Sequence, residues 1–224
     1  MKRIWIALVA VFVAVPLSLV VYQGVQTLRI LTLVEGERDA WQRPADVLRA
    51  LGLSEGNVVV DLGSGAGYFA LKLSPMVGAR GAVLAEDIRR ESLTFLWIRR
   101  FLRNARNVRV VLGEPDNPHL PIGTVNAVLI ANTYHELSPS KPILDAVFDA
   151  MKPGARLVIL DRHERSTRGN SRAAESERHG ILSEIVERAT RQRGFETISR
   201  QERFIDRPED DDVWWLLVAR KPPT

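Results

Sequence analysis

The chain has 224 residues, of which 46% are hydrophobic and 26% are charged, and its net charge is +4. This composition excludes a disordered or collagen-like chain, and the length suits one domain of ordinary size with an appendage. The absence of cysteine excludes disulfides and thiolate metal sites. Basic and acidic residues are interspersed, so the charge slightly favours an anionic neighbour such as a membrane surface. No recognised binding motif accompanies it, which disfavours nucleic acid.

Residues 4–22 form an almost wholly apolar run without charges, directly after Lys2 and Arg3. A helix over this run spans roughly 28 Å at ~1.5 Å per residue, close to the ~30 Å of a bilayer's hydrocarbon core. A cleaved secretory signal has the same basic start, but its apolar core is shorter and ends at a small-x-small site. No convincing site follows Tyr22, so we favour a transmembrane or signal-anchor helix over residues 1–24. A stalk is then expected at residues 25–36.

Residues 37–224 are predicted to form one α/β domain. A helix beginning near Pro44 is expected to stop at Gly52. Apolar, β-branched runs predict five strands, with helices ending near residues 77, 103 and 151; the strands lie at about 57–62, 82–87, 108–112, 126–131 and 155–161. A long helix ending near Arg193 precedes two closing strands at about 195–204 and 213–219. No helix separates these two, so one is expected to be antiparallel, and the whole pattern predicts a doubly wound, mainly parallel, seven-stranded sheet.

The first strand of this domain runs into a turn with three alternate glycines, at residues 61–67. Strand, glycine turn and helix together hold a nucleotide-like ligand at the carboxyl edge of an open sheet, and glycines let the backbone approach that ligand. A dinucleotide-binding turn requires G-x-G-x-x-G, but the third glycine position here is Tyr68. Asp61 at the end of the strand can accept a hydrogen bond from the ligand's amino group or fix the amides of the turn. A simple turn-capping role is the alternative.

The resulting pattern D-x-G-x-G-x-G resembles the first motif of the class I S-adenosylmethionine-dependent methyltransferases. The resemblance covers about residues 37–220, because it continues in order through the paired terminal strands and four further segments, at residues 81–88, 113–121, 132–136 and 151–154. It implies the Rossmann-like methyltransferase fold, here preceded by one N-terminal hydrophobic helix, and S-adenosyl-L-methionine as the cofactor. Three segments resemble more narrowly a bacterial subgroup whose members often carry an N-terminal signal or anchor: residues 41–44, 116–118 and 134–136.

The resemblance also implies a set of cofactor-binding residues: Asp61, Gly63, Ser64, Gly65, Gly67, Asp87, Glu114 and Asn132. Asp87 ends the second strand, where a carboxylate takes both ribose hydroxyls, although Glu86 beside it is an alternative. Asn132 would face the methionyl portion and the transferred methyl group. Glu114 stands at the position of the adenine contact and is followed by Pro115, which departs from the common pattern.

Candidate catalytic residues follow the fourth strand. Methyl transfer from a sulfonium is an in-line displacement, and alignment of the reactants can supply roughly 7–11 kcal/mol of the acceleration. A general base is needed only where the acceptor must lose a proton. His135 and Tyr134 are the candidates for this base, with Glu136 positioning or sharing the proton. Helix capping or local packing is the alternative role for His135.

The remaining polar features have ordinary structural interpretations. His119, His163 and His179 show no metal-ligand spacing, so surface or loop roles are expected and no metal site is predicted. The arginine-rich stretch of residues 162–178 is expected to be a loop with a solvated face, the alternatives being a lid over the substrate or a lipid contact. Trp214 and its neighbour at 215 begin a strand and are expected in the core.

The predicted function is methyl transfer from S-adenosylmethionine to a small or lipid-like acceptor by a membrane-anchored enzyme. A tethered cofactor-binding module without catalysis is an alternative from another class, and a nicotinamide-dependent oxidoreductase is a more distant one. Two arguments on membrane orientation oppose each other. Lys2 and Arg3 precede the apolar run while only Arg29 follows it closely, which favours a domain outside the cytoplasm. The cofactor is made in the cytoplasm, which favours the opposite orientation.

Overall fold

The structure is a computed structural model that describes residues 2–165 and 180–223, with side chains at residue 16 and from residue 18 onward. The chain divides into two units at Trp41. The first unit is one helix, α1 (Lys2–Trp41). It continues through Gly36, so the predicted change from stalk to domain is not marked by a break in the helix.

Within the described residues, no helix has a stretch that is both long and apolar enough to cross a membrane. The side chains of residues 4–15, which make up most of the predicted apolar run, lie outside the described part of the chain. The N-terminal anchor therefore stays a prediction.

The second unit is built on a seven-stranded sheet with the order β3-β2-β1-β4-β5-β7-β6. The strands are β1 (Val58–Leu62), β2 (Ala82–Asp87), β3 (Val108–Leu112), β4 (Val125–Ala131), β5 (Met151–Glu164), β6 (Glu196–Arg207) and β7 (Asp212–Arg220). The helices are α2 (Pro44–Ala50), α3 (Tyr68–Val77), α4 (Arg90–Leu102), α5 (Ser140–Ala150) and α6 (Ser183–Arg193). Strand β7 is antiparallel to both of its neighbours, and the other pairs are parallel. The predicted fold class is confirmed.

The order of the strands creates a switch point at β1. Leu62 at the end of β1 is in register with Glu86 of β2 on one side and with Ile130 of β4 on the other. The connections from β1 to β2 and from β3 to β4 leave in opposite directions along the sheet, and ligands of open α/β sheets bind in the crevice at such a point. The carboxyl ends of β1, β2 and β4 therefore frame the candidate site.

Strand β5 is longer than its apolar run. The prediction ended it at residue 161, but it continues to Glu164 because β7 offers an antiparallel partner over that length, with His163 opposite Val213. The expected surface or loop role of His163 is wrong, since this residue is 5% exposed in the strand. The rest of the arginine-rich stretch lies outside the described residues from 166 to 179, and with it His179.

The closing strands complete the core as predicted. Trp214 is 4% exposed and Trp215 is fully buried. The Trp215 ring donates from Nε1 to the carbonyl oxygen of Ile181 at 2.8 Å, which satisfies its one polar atom. The hydrogen bond between Trp215 and Ile181 therefore fixes β7 against the segment that leads into α6.

Candidate cofactor and active site

The three glycines of the turn after β1 all have positive φ angles, +72° at Gly63, +54° at Gly65 and +91° at Gly67, a region that other residues enter only at a cost. Their surroundings differ. A Cβ at Gly63 would collide with the Thr133 side chain, and one at Gly67 would collide with Leu96. A Cβ at Gly65 would have no atom within 4 Å. Gly63 and Gly67 are thus required for packing, whereas Gly65 presents its backbone to open space.

Two hydrogen bonds fasten this turn to the end of β2. The amide of Ser64 donates to the carbonyl oxygen of Glu86 at 2.8 Å, and the amide of Gly65 donates to Asp87 Oδ2 at 2.8 Å. The other oxygen of Asp87 accepts the amide of Arg89 at 2.8 Å. Within the described chain, the Ser64 hydroxyl is buried and has no hydrogen-bond partner. A buried hydroxyl in a glycine cradle is the kind of group that a polar ligand completes.

A buried arginine supports the turn from the other side. Arg99 of α4 is 3% exposed and donates from a guanidinium nitrogen to the carbonyl oxygen of Ala66. The sequence pattern places the α4 arginines mostly on the outer face, and this residue is the exception. The sequence did contain a signal for its burial, because Arg99 lies three residues after the apolar Leu96 and residues three apart share a helix face.

The acidic pair at the end of β2 lies at the cleft. Glu86 and Asp87 are each 3% exposed. Burial raises the pKa of Glu86, the nearby Asp87 and Asp61 add to the rise, the hydrogen bond from the Gly63 amide opposes it, and the resulting pKa is about 7. Gly113 has no room for a Cβ because Glu86 occupies that space. A carboxyl group that is partly neutral near pH 7 therefore sits beside Asp87.

The single turn of 3₁₀ helix at Tyr134–Glu136 brings His135 to β5. The His135 side chain is 1% exposed, and its Nδ1 lies 2.9 Å from Oδ1 of the fully buried Asp161. The His135 amide donates to the other oxygen of Asp161 at 3.1 Å. Since a carboxylate only accepts, this contact assigns the ring proton to Nδ1 and directs Nε2 towards Glu136 Oε1, 3.7 Å away.

Four of the predicted site residues line one cleft, namely Gly63, Asp87, Glu114 and Glu136. The cleft is also lined by Glu86, the alternative to Asp87 for the ribose contact. Its other lining residues were not predicted from the motifs: Leu62, Ile88, Arg89, Pro115, Thr133, Leu137, Ser138 and Ile143. The hydroxyl of Thr133 lies 3.2 Å from the carbonyl oxygen of Ala131 and 3.4 Å from that of Gly63. The position of this residue could have been inferred from the sequence only by knowing that β4 pairs with β1.

Other predicted residues lie near this cleft without lining it. Asp61 is 2% exposed within β1, and Tyr134 is 1% exposed and belongs to the hydrophobic core. Asn132 is exposed and has a φ of +55°, and its backbone N–H donates to the carbonyl oxygen of Leu160 at 2.7 Å. The role assigned to each of these residues stays a prediction.

Comparison with known proteins identifies the domain type. Residues 59–154 match the family described as "Methyltransferase domain", and they include β1, the glycine turn, β2 and β4. This match supports a class I S-adenosylmethionine-dependent methyltransferase domain. The unpartnered Ser64 hydroxyl and the open space at Gly65 fit such a cofactor at this turn.

Two curated relatives match about half of this chain. The arsenite methyltransferase of Halobacterium salinarum is 34% identical over 112 residues, which are 49% of this chain and 28% of that protein. The ubiquinone/menaquinone biosynthesis C-methyltransferase UbiE of Pasteurella multocida is 32% identical over 113 residues, 49% of this chain and 41% of that protein. The match therefore spans less than half the length of either relative.

Solved structures match over a larger share of the methyltransferase domain. A SAM dependent methyltransferase from Aquifex aeolicus aligns with a TM-score of 0.67 and 28% identity, over 80% of this chain and 89% of that one. The phosphoethanolamine N-methyltransferase 2 of Haemonchus contortus, in complex with S-adenosyl-L-methionine, aligns with a TM-score of 0.67 over 81% of this chain and 53% of that one. At 14% identity the second likeness concerns the fold alone.

Proposed function

We propose that this protein binds S-adenosyl-L-methionine and transfers its methyl group to a small-molecule or lipid-like acceptor at a membrane. The observation that carries the proposal is the glycine turn itself. Gly65 has a φ of +54° with no atom within 4 Å of a Cβ position, and its amide is held by Asp87 at 2.8 Å. The turn thus presents backbone to the cleft that Glu136 also lines.

The cofactor is held by the turn and the strand ends that surround it. The backbone of residues 63–67 approaches the methionyl part, and the Ser64 hydroxyl gains a partner. A carboxylate has about four acceptor positions, and the amides of Gly65 and Arg89 occupy two positions on Asp87. The Arg89 guanidinium lies 3.5 Å from Oδ1, and the remaining positions would take the ribose hydroxyls. In the same arrangement, Glu114 contacts the adenine, and Asn132 faces the methionyl group.

When bound, S-adenosylmethionine supplies an electrophilic methyl group on a positively charged sulfur. The protein's part is to align the acceptor and, where necessary, to take its proton. Glu136 is the group that reaches the cleft, with a side chain that is 49% exposed. His135 is buried, Asp161 fixes its ring, and its Nε2 faces Glu136 Oε1 at 3.7 Å. We therefore assign Glu136 as the base and His135 as a positioning residue; Tyr134, buried in the core, supports the turn.

The chemistry of the chain favours an organic acceptor. The named relatives include an arsenite methyltransferase and a quinone-biosynthesis C-methyltransferase. Trivalent arsenic is a soft centre that prefers thiolate ligands, and this chain has no cysteine. Organic carbon, nitrogen or oxygen nucleophiles need no such ligand, so a small or lipid-like organic molecule is the better-supported acceptor.

The membrane location rests on the sequence of residues 4–22, which is almost wholly apolar and uncharged over a length that suits a bilayer. Extraction of cell membranes with alkaline carbonate tests it, since an anchored chain stays in the pellet and a peripheral one is released. Reporter fusions at the C-terminus decide the side of the membrane on which the domain lies.

Methyl transfer is tested with purified full-length protein, methyl-labelled S-adenosylmethionine and a fractionated membrane extract. We expect label in a fraction soluble in organic solvent, above the level obtained with an Asp61→Ala variant. Binding of the cofactor without labelling of any fraction would favour a non-catalytic tethered module. Tight binding of NADH without binding of S-adenosylmethionine would favour an oxidoreductase.

A further inference from the structure

The outer face of α4 exposes three large apolar side chains. Trp97 is 56%, Phe101 is 77% and Leu102 is 66% exposed. Phe101 lies four positions after Trp97, so these two side chains are neighbours on the helix surface, and Leu102 follows Phe101 at the end of α4. Single exposed apolar residues are ordinary, but a contiguous patch with a polar rim marks an interaction surface.

The rim of this patch is strongly basic. Residues 100–109 contain four arginines and no acidic residue. Arg100 and Arg106 line a shallow groove together with Trp97 and Phe101. The guanidinium of Arg100 donates to the carbonyl oxygen of Val108, and Arg106 Nε donates to Asn104 Oδ1 at 3.0 Å.

These two arginines bond to neutral groups, and within the described residues no carboxylate lies in ion-pair distance of either. Their charge is therefore available to an anionic partner.

We propose that this surface, the α4 patch of Trp97, Arg100, Phe101, Leu102 and Arg106, docks on an anionic lipid bilayer. Aromatic and aliphatic tips enter the boundary between headgroups and acyl chains, where tryptophan is favoured, while arginines meet lipid phosphates. The patch combines both kinds of group within residues 97–106.

Other occupants explain the patch less well. A nucleic acid would satisfy the arginines but would bury little of the aliphatic Leu102. A second copy of this chain would bring a net charge of +4 towards another of the same sign, which opposes association. An anionic bilayer satisfies the apolar tips and the arginines together.

Docking by the α4 patch is separable from the proposed methyl transfer. None of its five residues lines the cofactor cleft. Helix α4 also runs from the carboxyl edge of the sheet, where the cleft lies, towards the opposite edge, and the patch occupies its last two turns and the loop beyond. Variants of the patch should therefore retain cofactor binding, so a failure of the docking proposal can be distinguished from a failure of the proposed function.

The absence of cysteine from the chain permits a direct test. Phe101→Cys in the full-length protein is labelled with a polarity-sensitive fluorophore and mixed with vesicles of phosphatidylglycerol and phosphatidylcholine that carry brominated acyl chains. Ile198→Cys on β6, a residue that is 48% exposed, serves as the matched control. We expect the label at 101 to be quenched strongly in these vesicles and weakly in pure phosphatidylcholine, with little quenching at 198.

A charge variant isolates the contribution of the rim. Arg106→Glu in the labelled Phe101→Cys background should weaken the lipid-dependent quenching roughly tenfold, whereas Arg188→Glu on α6 should not change it. Each sample keeps α1, which could bind vesicles by itself. The readout is therefore the depth at which the labelled position enters the bilayer, and not vesicle binding. The proposal is overturned if the labels at 101 and 198 are quenched alike. It is equally overturned if the label at 101 becomes buried without vesicles as protein concentration rises, since that outcome indicates self-association.

Discussion

Replacing Gly65 by alanine separates the conformational requirement of the glycine turn from its role towards the cofactor. Gly65 has a φ of +54°, and a Cβ there meets no atom within 4 Å. The left-handed conformation costs an alanine about 1–2 kcal/mol, and no steric clash is added. The variant should therefore fold, with a free energy of unfolding lowered by about that amount.

The same methyl group would stand where the cofactor has to approach the backbone. Overlap in a packed site costs about 1–3 kcal/mol, which corresponds to a loss of affinity of roughly 5- to 150-fold at ~1.4 kcal/mol per factor of ten. Isothermal titration with S-adenosylhomocysteine measures this loss on full-length protein. Urea unfolding followed by circular dichroism measures the change in stability.

Gly56→Ala is the matched control. Gly56 has a φ of +87°, a Cβ there also meets no atom within 4 Å, and it lies in the turn before β1 away from the cleft. Both variants should lose similar stability, but only Gly65→Ala should lose ligand affinity. Equal affinity of Gly65→Ala and the unchanged protein would refute the reasoning, as would an equal loss in both variants.

Three further predictions concern charged residues around the turn. Asp161→Asn should reduce methyl transfer to an acceptor that loses a proton about 100-fold and alter its pH profile, because the amide cannot hold His135 in the same tautomer; an unchanged profile would contradict the positioning role. Burial raises the pKa of Glu86 from 4.5 to about 7, so the folded state holds this proton more tightly and loses stability as the pH rises between these values. The free energy of unfolding of Glu86→Gln should therefore rise by about 3 kcal/mol relative to that of the unchanged protein as the pH goes from about 4 to about 8. Denaturant unfolding at both pH values measures this difference, and a difference that does not depend on pH would contradict the prediction. Arg99→Met leaves the carbonyl of Ala66 without its donor and should lower the free energy of unfolding by about 1–3 kcal/mol and weaken cofactor binding, whereas binding as tight as before would show that the turn holds its shape without this support.

Local signals in the sequence were sufficient for most of the fold. Apolar, β-branched runs marked the strands because each central strand is buried on both faces, and the alternate glycines marked the turn because their positive φ angles require them. The end of β5 could not be located in this way. Residues 162–164 are polar, and they are strand residues only because β7 pairs with them across a separation of about 50 residues.

The candidate site was predictable where a residue ends an apolar strand. Asp61 and Asp87 were found by that rule, and Asp161 satisfies it too, since it follows the apolar run of β5. Its partner His135 lies 26 residues earlier, and the two meet only because β4 and β5 are neighbours. Arg99 was missed for a similar reason. An arginine on a mostly apolar helix face gives no sign of the carbonyl it will reach.

The central claim is that the glycine turn after β1 is the cradle of the methyl donor. A crystal structure of the full-length protein with S-adenosylhomocysteine tests it most directly. We expect the homocysteine part over residues 63–67 and the ribose hydroxyls on the carboxylate of Asp87. A ligand bound elsewhere on the domain, or bound here with its ribose away from Asp87, would contradict the account.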